Sequence, residues 1–213
     1  MGTDAAGRAY RSPLREAQAE QTRARVIRAA LLLFERDGYG VTTIAAIGRE
    51  AGVSAETVYA AFRSKRGLLQ AVVERADLPG AGQRVRSEWE RLAGQPAAQL
   101  GALAILAHDF WTTNRQLAGV LNQGTGDSEL AEIWHAPQRG RRLLFRALIT
   151  GWPEGTLADT LDAGRAADIL YALTSADVFQ LLVGDAGWAP DRYQAELAAL
   201  LRRALLPPDI PRF

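Results

Sequence analysis

Residues 42–69, TTIAAIGREAGVSAETVYAAFRSKRGLL, constrain this chain more than any other stretch. Ile44, Ile47 and Ala51 recur at i, i+3 and i+7, the spacing of one helix face, and Thr43 stands where a capping hydroxyl is needed. Gly52 supplies the backbone freedom of a sharp turn, Val53 plugs the angle, and Ser54 caps a second helix. On that helix Val58 and Phe62 fall at i and i+4 and face inward, leaving Ala55, Glu56, Thr57, Tyr59, Ala60 and Arg63 facing out. Another helix opens at once at Ser64. A plain helical hairpin explains the caps and the inner face, but not an outward Tyr59 on a helix of about two turns. The pattern predicts a helix-turn-helix whose second helix, residues 55–62, is the one that enters a DNA groove.

The flanking sequence fits. Thr22 to Arg36 carries Ile27, Ala30, Leu31 and Phe34 on one helical face and stops at Gly38. Phe34, Gly38, Thr42-Thr43, Ile47, Ala51-Gly52-Val53-Ser54, Thr57-Val58-Tyr59, Phe62, Ser64-Lys65 and Leu68-Leu69 together resemble the N-terminal domain of the tetracycline-repressor (TetR) family of bacterial regulators. The resemblance covers about 50 residues. It implies an all-α fold: a three-helix DNA-binding domain followed by a helical domain for effector binding and dimerisation. Two positions depart from the family pattern. Ala61 stands where His or an aromatic is common, and Gly48 replaces the usual Ala at a propensity cost of up to ~1 kcal/mol.

Charge is divided rather than neutral. Residues 1–70 hold 11 basic against 7 acidic side chains, a balance of +4, while residues 71–213 hold 14 against 17, a balance of −3. The positive end is the end with the motif, as a polyanion partner requires. Lys65 is the single lysine, at a helix N-terminus that already attracts anions; the resemblance makes it a phosphate contact. With Thr43 and Ser54 at the helix starts, and the outward residues above, it completes the expected DNA surface. That surface has no Asn or Gln to bracket an adenine, so Glu56, Thr57 and Ala60 are the base-edge candidates and Tyr59 and Lys65 the phosphate ones. Residues 1–20 lack a period. Arg8, Arg11 and Arg15 there suit a minor-groove arm or, the favoured expectation, a solvated flexible tail.

The organisation expected is therefore a tail at 1–20, a DNA-binding domain at 21–70, and an effector-binding and dimerisation domain at 71–207. The last of these reads as a break at residues 78–82, a short helix near 85–92, then helices at 97–114, 115–123, 128–149 and 163–183. A final helix starts at Pro190 and stops before Pro207-Pro208, with proline well placed as a first helical residue. The last two helices are apolar on more than one face, with Ala172, Ala176 and Ala199 small enough for close approach. With two-fold operator symmetry, this predicts a homodimer through them.

Trp111, Trp134, Trp152 and Trp188 all lie in this second part. By the resemblance, Phe110, Trp111, Asn114, Trp134, Phe145 and Tyr171 are the candidate cavity residues for a small, mainly hydrophobic effector. His108, Asp109, Asn122, His135 and Gln180 are further polar neighbours. Catalysis is not expected: two histidines, no cysteine and no metal-spaced cluster leave little chemistry, and adjacent His108 and Asp109 are expected to diverge by about 100° on a helix. No cofactor or metal is expected. The absence of cysteine suits a reducing cytoplasm, and no apolar run approaches the ~20 residues of a membrane span. The resulting expectation is a cytoplasmic regulator, most simply a repressor of a palindromic operator released by its effector. The rival is a DNA-binding dimer controlled by a protein partner or without ligand input.

Overall fold

A computed structural model describes residues 13–76, 78–123 and 128–208, and these are helical with connecting turns and no strands. Helices α1 (Pro13–Asp37), α2 (Ile44–Ala51), α3 (Ala55–Phe62) and α4 (Lys65–Arg75) come first. Helices α5 (Leu78–Arg91), α6 (Pro96–Thr113), α7 (Arg115–Gln123) and α8 (Ser128–Thr150) follow. Helix α9 (Ala163–Leu173) leads to α10 (Ala176–Phe179), which runs on as a π-helical segment (Gln180–Asp185), and α11 (Pro190–Leu205) ends the order. No single described helix is long and apolar enough to cross a membrane; α9 and the α10 segment reach that length only jointly, bent by 42°.

Three boundaries differ from expectation, each for a local reason. Residues 13–20 belong to α1 rather than to the tail, because a proline in a helix's first turn costs no hydrogen bond, and Ala, Glu and Gln dominate the turns after it. Residues 1–12, with Arg8 and Arg11, lie outside the described part, and Arg15 is an exposed residue of α1. The same proline logic turns the expected break at residues 78–82 into the first turn of α5. The single helix expected over 163–183 is interrupted at Thr174-Ser175. There the Ser175 hydroxyl accepts from the Val178 N–H and starts a new helix, while Thr174 Oγ1 donates to the Leu170 carbonyl.

The buried residues form one contiguous cluster running from Val26 on α1 to Leu206 after α11. The boundary expected between residues 70 and 71 falls inside α4, and α1 packs on α7 as well as on α2 and α4. Around it, α6 packs on α11 and α8 on α9. A buried polar latch joins the ends of three helices. The Gln99 side chain donates to the Trp89 carbonyl at 2.7 Å and accepts from Trp152 Nε1 at 2.6 Å, and the two indoles stack 5.5 Å apart. Gln99→Ala strands a buried carbonyl and the indole N–H of Trp152, and is expected to cost about 1–3 kcal/mol in urea unfolding. Stability within 0.5 kcal/mol of the parent would show that water replaces the latch.

Candidate nucleic-acid interface and effector cavity

The helix-turn-helix is built by its caps. Thr43 Oγ1 accepts from the Ala46 N–H and Ser54 Oγ from the Thr57 N–H, each satisfying one of the free donors at a helix start. Gly52 ends α2 in the left-handed region at φ 66°, its N–H turned back to the carbonyls of Arg49 and Gly48. Ile44, Ile47 and Ala51 of α2 and Val58 and Phe62 of α3 are buried, as their spacing predicts. The position of Gly48 also has a reason beyond propensity. A Cβ there would meet the Val53 carbonyl oxygen at 2.9 Å and the Ala55 nitrogen at 3.3 Å, so α2 lies against its own turn. Gly48→Ala is therefore expected to gain none of the ~1 kcal/mol that alanine offers an open helix. A melting temperature raised by 2–4 °C would show that the turn yields.

The opposite face of α3 is open. Ser54, Glu56, Thr57, Tyr59, Ala60 and Arg63 are exposed, Thr43 is exposed one turn away, and Ala55 is half-buried against the core. Tyr59 presents 52% of its surface to solvent. Arg63 lies beyond the helix end, in the left-handed region at φ 66°. Helix α1 flanks this face in a way the sequence did not announce. Arg23 Nη1 donates to the Ala61 carbonyl at 3.2 Å and its guanidinium lies 4.5 Å from the centre of the Phe62 ring. Gln18, Thr22 and Arg23 of α1 border a shallow groove with Thr57, Ala60 and Ala61.

Lys65 has an internal role that its position alone did not reveal. Its ammonium donates to the carbonyls of Tyr39 and Gly40 at 2.8 and 3.1 Å and lies 4.4 Å from the centre of the Tyr39 ring. Two of its three N–H groups thus tie the start of α4 to the α1–α2 loop, and one is left for a phosphate.

Behind the helix-turn-helix, α4, α5, α6 and α8 border a half-open cavity of about 1030 Å³. Of the candidate cavity residues, Phe110, Trp111, Asn114 and Phe145 line it. Trp134 and Tyr171 do not. Trp134 packs behind Trp111, ring centres 6.4 Å apart, and the Tyr171 ring lies 4.8 Å from the Arg141 guanidinium. Of the polar neighbours, Asp109 lines the cavity; His108, His135 and Gln180 do not, and the Asn122 side chain lies outside the described part. His108 and Asp109 do not diverge as expected: the side chains bend toward each other and place Nδ1 2.9 Å from Oδ1. Among the described residues no cluster of three or more His, Asp or Glu could hold a metal ion.

Several wall residues carried no sequence signal. Gln70 and Val73 come from α4 and Ala76 from its C-cap, Val85 from α5, and Gln138, Arg141 and Leu144 from α8. Arg141 is the most consequential. Burial pushes its guanidinium down to about 10, partly offset by the neighbouring Tyr171, Tyr193 and Asp177, so it is still a cation at neutral pH. Arg66 Nη1 and Glu132 Oε2, 2.9 Å apart and both exposed, bridge α4 to α8 at the cavity's edge.

An exposed, capped second helix on a bed of three others, joined by α4 to a helical region with a half-open cavity, is the arrangement of a helix-turn-helix DNA-binding protein. Residues 26–72 match the model of a family described as bacterial regulatory proteins, tetR family. That stretch, from the middle of α1 into α4, is thus a TetR-type helix-turn-helix DNA-binding region. No curated protein matches the sequence. Among solved structures, NalD of Pseudomonas aeruginosa, the secondary repressor of the MexAB-OprM multidrug efflux pump, is 24% identical with a TM-score of 0.72, covering 91% of this chain and 100% of its own. The SmeT–triclosan complex is 20% identical with a TM-score of 0.70, covering 91% of this chain and 96% of its own. FadR of Bacillus subtilis in complex with stearoyl-CoA is 18% identical with a TM-score of 0.64, covering 84% of this chain and 96% of its own. At these identities the likeness is one of fold.

Proposed function

We propose that this regulator is a repressor that binds a palindromic operator as a homodimer and is released by a small, mainly hydrophobic effector. The observation that carries the reading is α4. The helix that begins at Ser64-Lys65, directly after the recognition helix, supplies Gln70 and Val73 to the wall of the cavity, and its C-cap Ala76 adds a third contact. A ligand that spreads α4 from α8 moves the helix-turn-helix with it. Two half-sites are engaged together only when the recognition helices stand about 34–36 Å apart. An effector that prefers another spacing draws population from the DNA-bound state, by no more than its differential affinity for the two states.

Thr43, Ser54, Ala55, Glu56, Thr57, Tyr59, Ala60, Arg63 and Lys65 form the proposed DNA surface, and Phe110, Trp111, Asn114 and Phe145 the proposed effector contacts. Leu181 and Leu200, exposed at 55% and 37% on the α10 segment and α11, support pairing through the last helices. Ala172 is exposed and Ala199 half-buried in the same region, whereas Ala176 is buried within the subunit. NalD is by description a repressor, and SmeT and FadR are described with triclosan and stearoyl-CoA, which supports a cavity that takes apolar molecules.

The test is binding of the protein to DNA from its own upstream region at two salt concentrations. The expected result is two chains per site, at least 10³ tighter than on random DNA, with affinity falling steeply as salt rises. Binding without sequence preference would remove the operator from the reading, and no binding by the folded protein at low salt would overturn it.

A further inference from the structure

The cavity's chemistry is more specific than apolar. Glu74, Arg75, Arg84, Arg86, Asp109 and Glu132 around it are all exposed, so their charges are solvated. Arg141, by contrast, is half-buried. Its Nη2 donates to the Tyr171 carbonyl, and its guanidinium lies between the Phe145 and Tyr171 rings, 5.7 and 4.8 Å from their centres. Its Nε is sealed from solvent and has no acceptor. Among the described residues no carboxylate pairs with it; the carboxylate of Asp168 is held by the next residue, Arg142. A second orphan, the Tyr193 hydroxyl, is also buried without a partner; burial pushes its phenol up and the charge of Arg141 partly opposes that.

A half-buried cation with no carboxylate in salt-bridge contact favours an anion placed beside it. Aromatic faces satisfy part of a guanidinium's charge but accept none of its in-plane N–H bonds. Arg141 lines the chamber of about 1030 Å³, whose apolar walls include Leu103, Phe110, Trp111, Ile133 and Leu144. That combination fits a molecule with one anionic end and a long or aromatic apolar body.

We propose that the effector is an amphipathic carboxylic acid, bound as the carboxylate, with its head accepting from Arg141 and its apolar body filling the space between α6 and α8. This rests on the reading of the cavity as an effector site and narrows it from apolar molecules to apolar acids. The planar fork of the guanidinium matches a carboxylate's two oxygens, so a neutral amide of the same shape forfeits the charge-assisted bonds.

The test is a matched panel read by tryptophan fluorescence and by calorimetry. Decanoate, 4-phenylbutyrate and indole-3-acetate are each titrated against the corresponding primary amide, with the full chain and with Arg141→Met. The expected result is that at least one acid binds ten or more times tighter than its amide, that Arg141→Met abolishes this preference, and that the variant still binds the amide. A preference for acid that survives in Arg141→Met would overturn the assignment to Arg141. Acid and amide binding equally well to the parent would overturn the carboxylate proposal while leaving the effector cavity standing. No saturable binding of any acid or amide would overturn both. The comparison of acid with amide on the parent protein decides the matter even where Arg141→Met does not fold.

Discussion

Trp111→Ala is expected to lower stability by about 3–5 kcal/mol, a large share of what a folded domain has to lose. The indole is 2% exposed and has Phe110 edge-on at 4.8 Å and Trp134 at 6.4 Å. Its Nε1 also donates to the Thr174 carbonyl at 2.9 Å. That carbonyl lies where α9 stops and α10 has not begun, so the Trp111 bond satisfies a buried group at a helix break, where one is most needed. Truncation thus removes volume, aromatic contacts and a buried hydrogen bond together, and it opens the back of the cavity into the core. Trp111→Phe separates these contributions. It keeps most of the apolar contact but leaves Thr174 without its donor, at an expected cost of about 1–3 kcal/mol. Urea unfolding followed by far-ultraviolet circular dichroism checks both. Equal losses in the two variants would mean that the hydrogen bond, and not the packing, dominates at this site.

The parts of this protein that were legible in its sequence are those set by neighbours in the chain. Thr43, Ser54 and Gly52 act within four residues of where they stand, and the buried set Ile44, Ile47, Val58 and Phe62 follows from helical spacing alone. Proline was ambiguous for the same reason. Pro190 read as a helix start because an apolar period follows it at once, whereas Pro13 and Pro79 stand among glycine and polar residues and read as breaks, although all three lie in a first turn. The interruption at Thr174-Ser175 was hidden because apolar residues continue on both sides of it, and only the Ser175 cap marks it.

Interactions across the fold were not legible at all. Lys65 reaches 26 residues back to Tyr39, and Trp111 reaches 63 residues forward to Thr174. Arg141 lies within Arg139-Gly140-Arg141-Arg142, which reads as a solvated basic turn of helix. Only the packing of α8 on α9 half-buries one of those arginines and leaves its neighbours Arg139 and Arg142 exposed. The aromatic candidates divided similarly. Phe110 and Trp111 of α6 face the cavity, whereas Trp134 and Tyr171 support residues that do.

Phe62→Ala and Tyr59→Ala lie three residues apart on one helix and are expected to fail in opposite ways. Phe62 is 6% exposed, and its ring carries the Arg23 guanidinium while the same arginine holds the Ala61 carbonyl. An eight-residue helix does not persist alone in water, so α3 depends on Val58 and Phe62 for its place. Losing Phe62 is expected to cost about 3–5 kcal/mol and to abolish operator binding, because the recognition helix no longer holds its position. Tyr59, by contrast, is half exposed on the open face of α3. Tyr59→Ala should change stability by less than about 0.5 kcal/mol, yet weaken operator binding and reduce the salt slope by about 1 if its hydroxyl holds a phosphate. Thermal unfolding and fluorescence anisotropy with labelled operator distinguish the two effects. A Tyr59 variant that melts well below the parent would make the exposed ring part of the fold after all. One that melts normally and binds DNA with unchanged affinity would place the DNA on some surface other than the open face of α3.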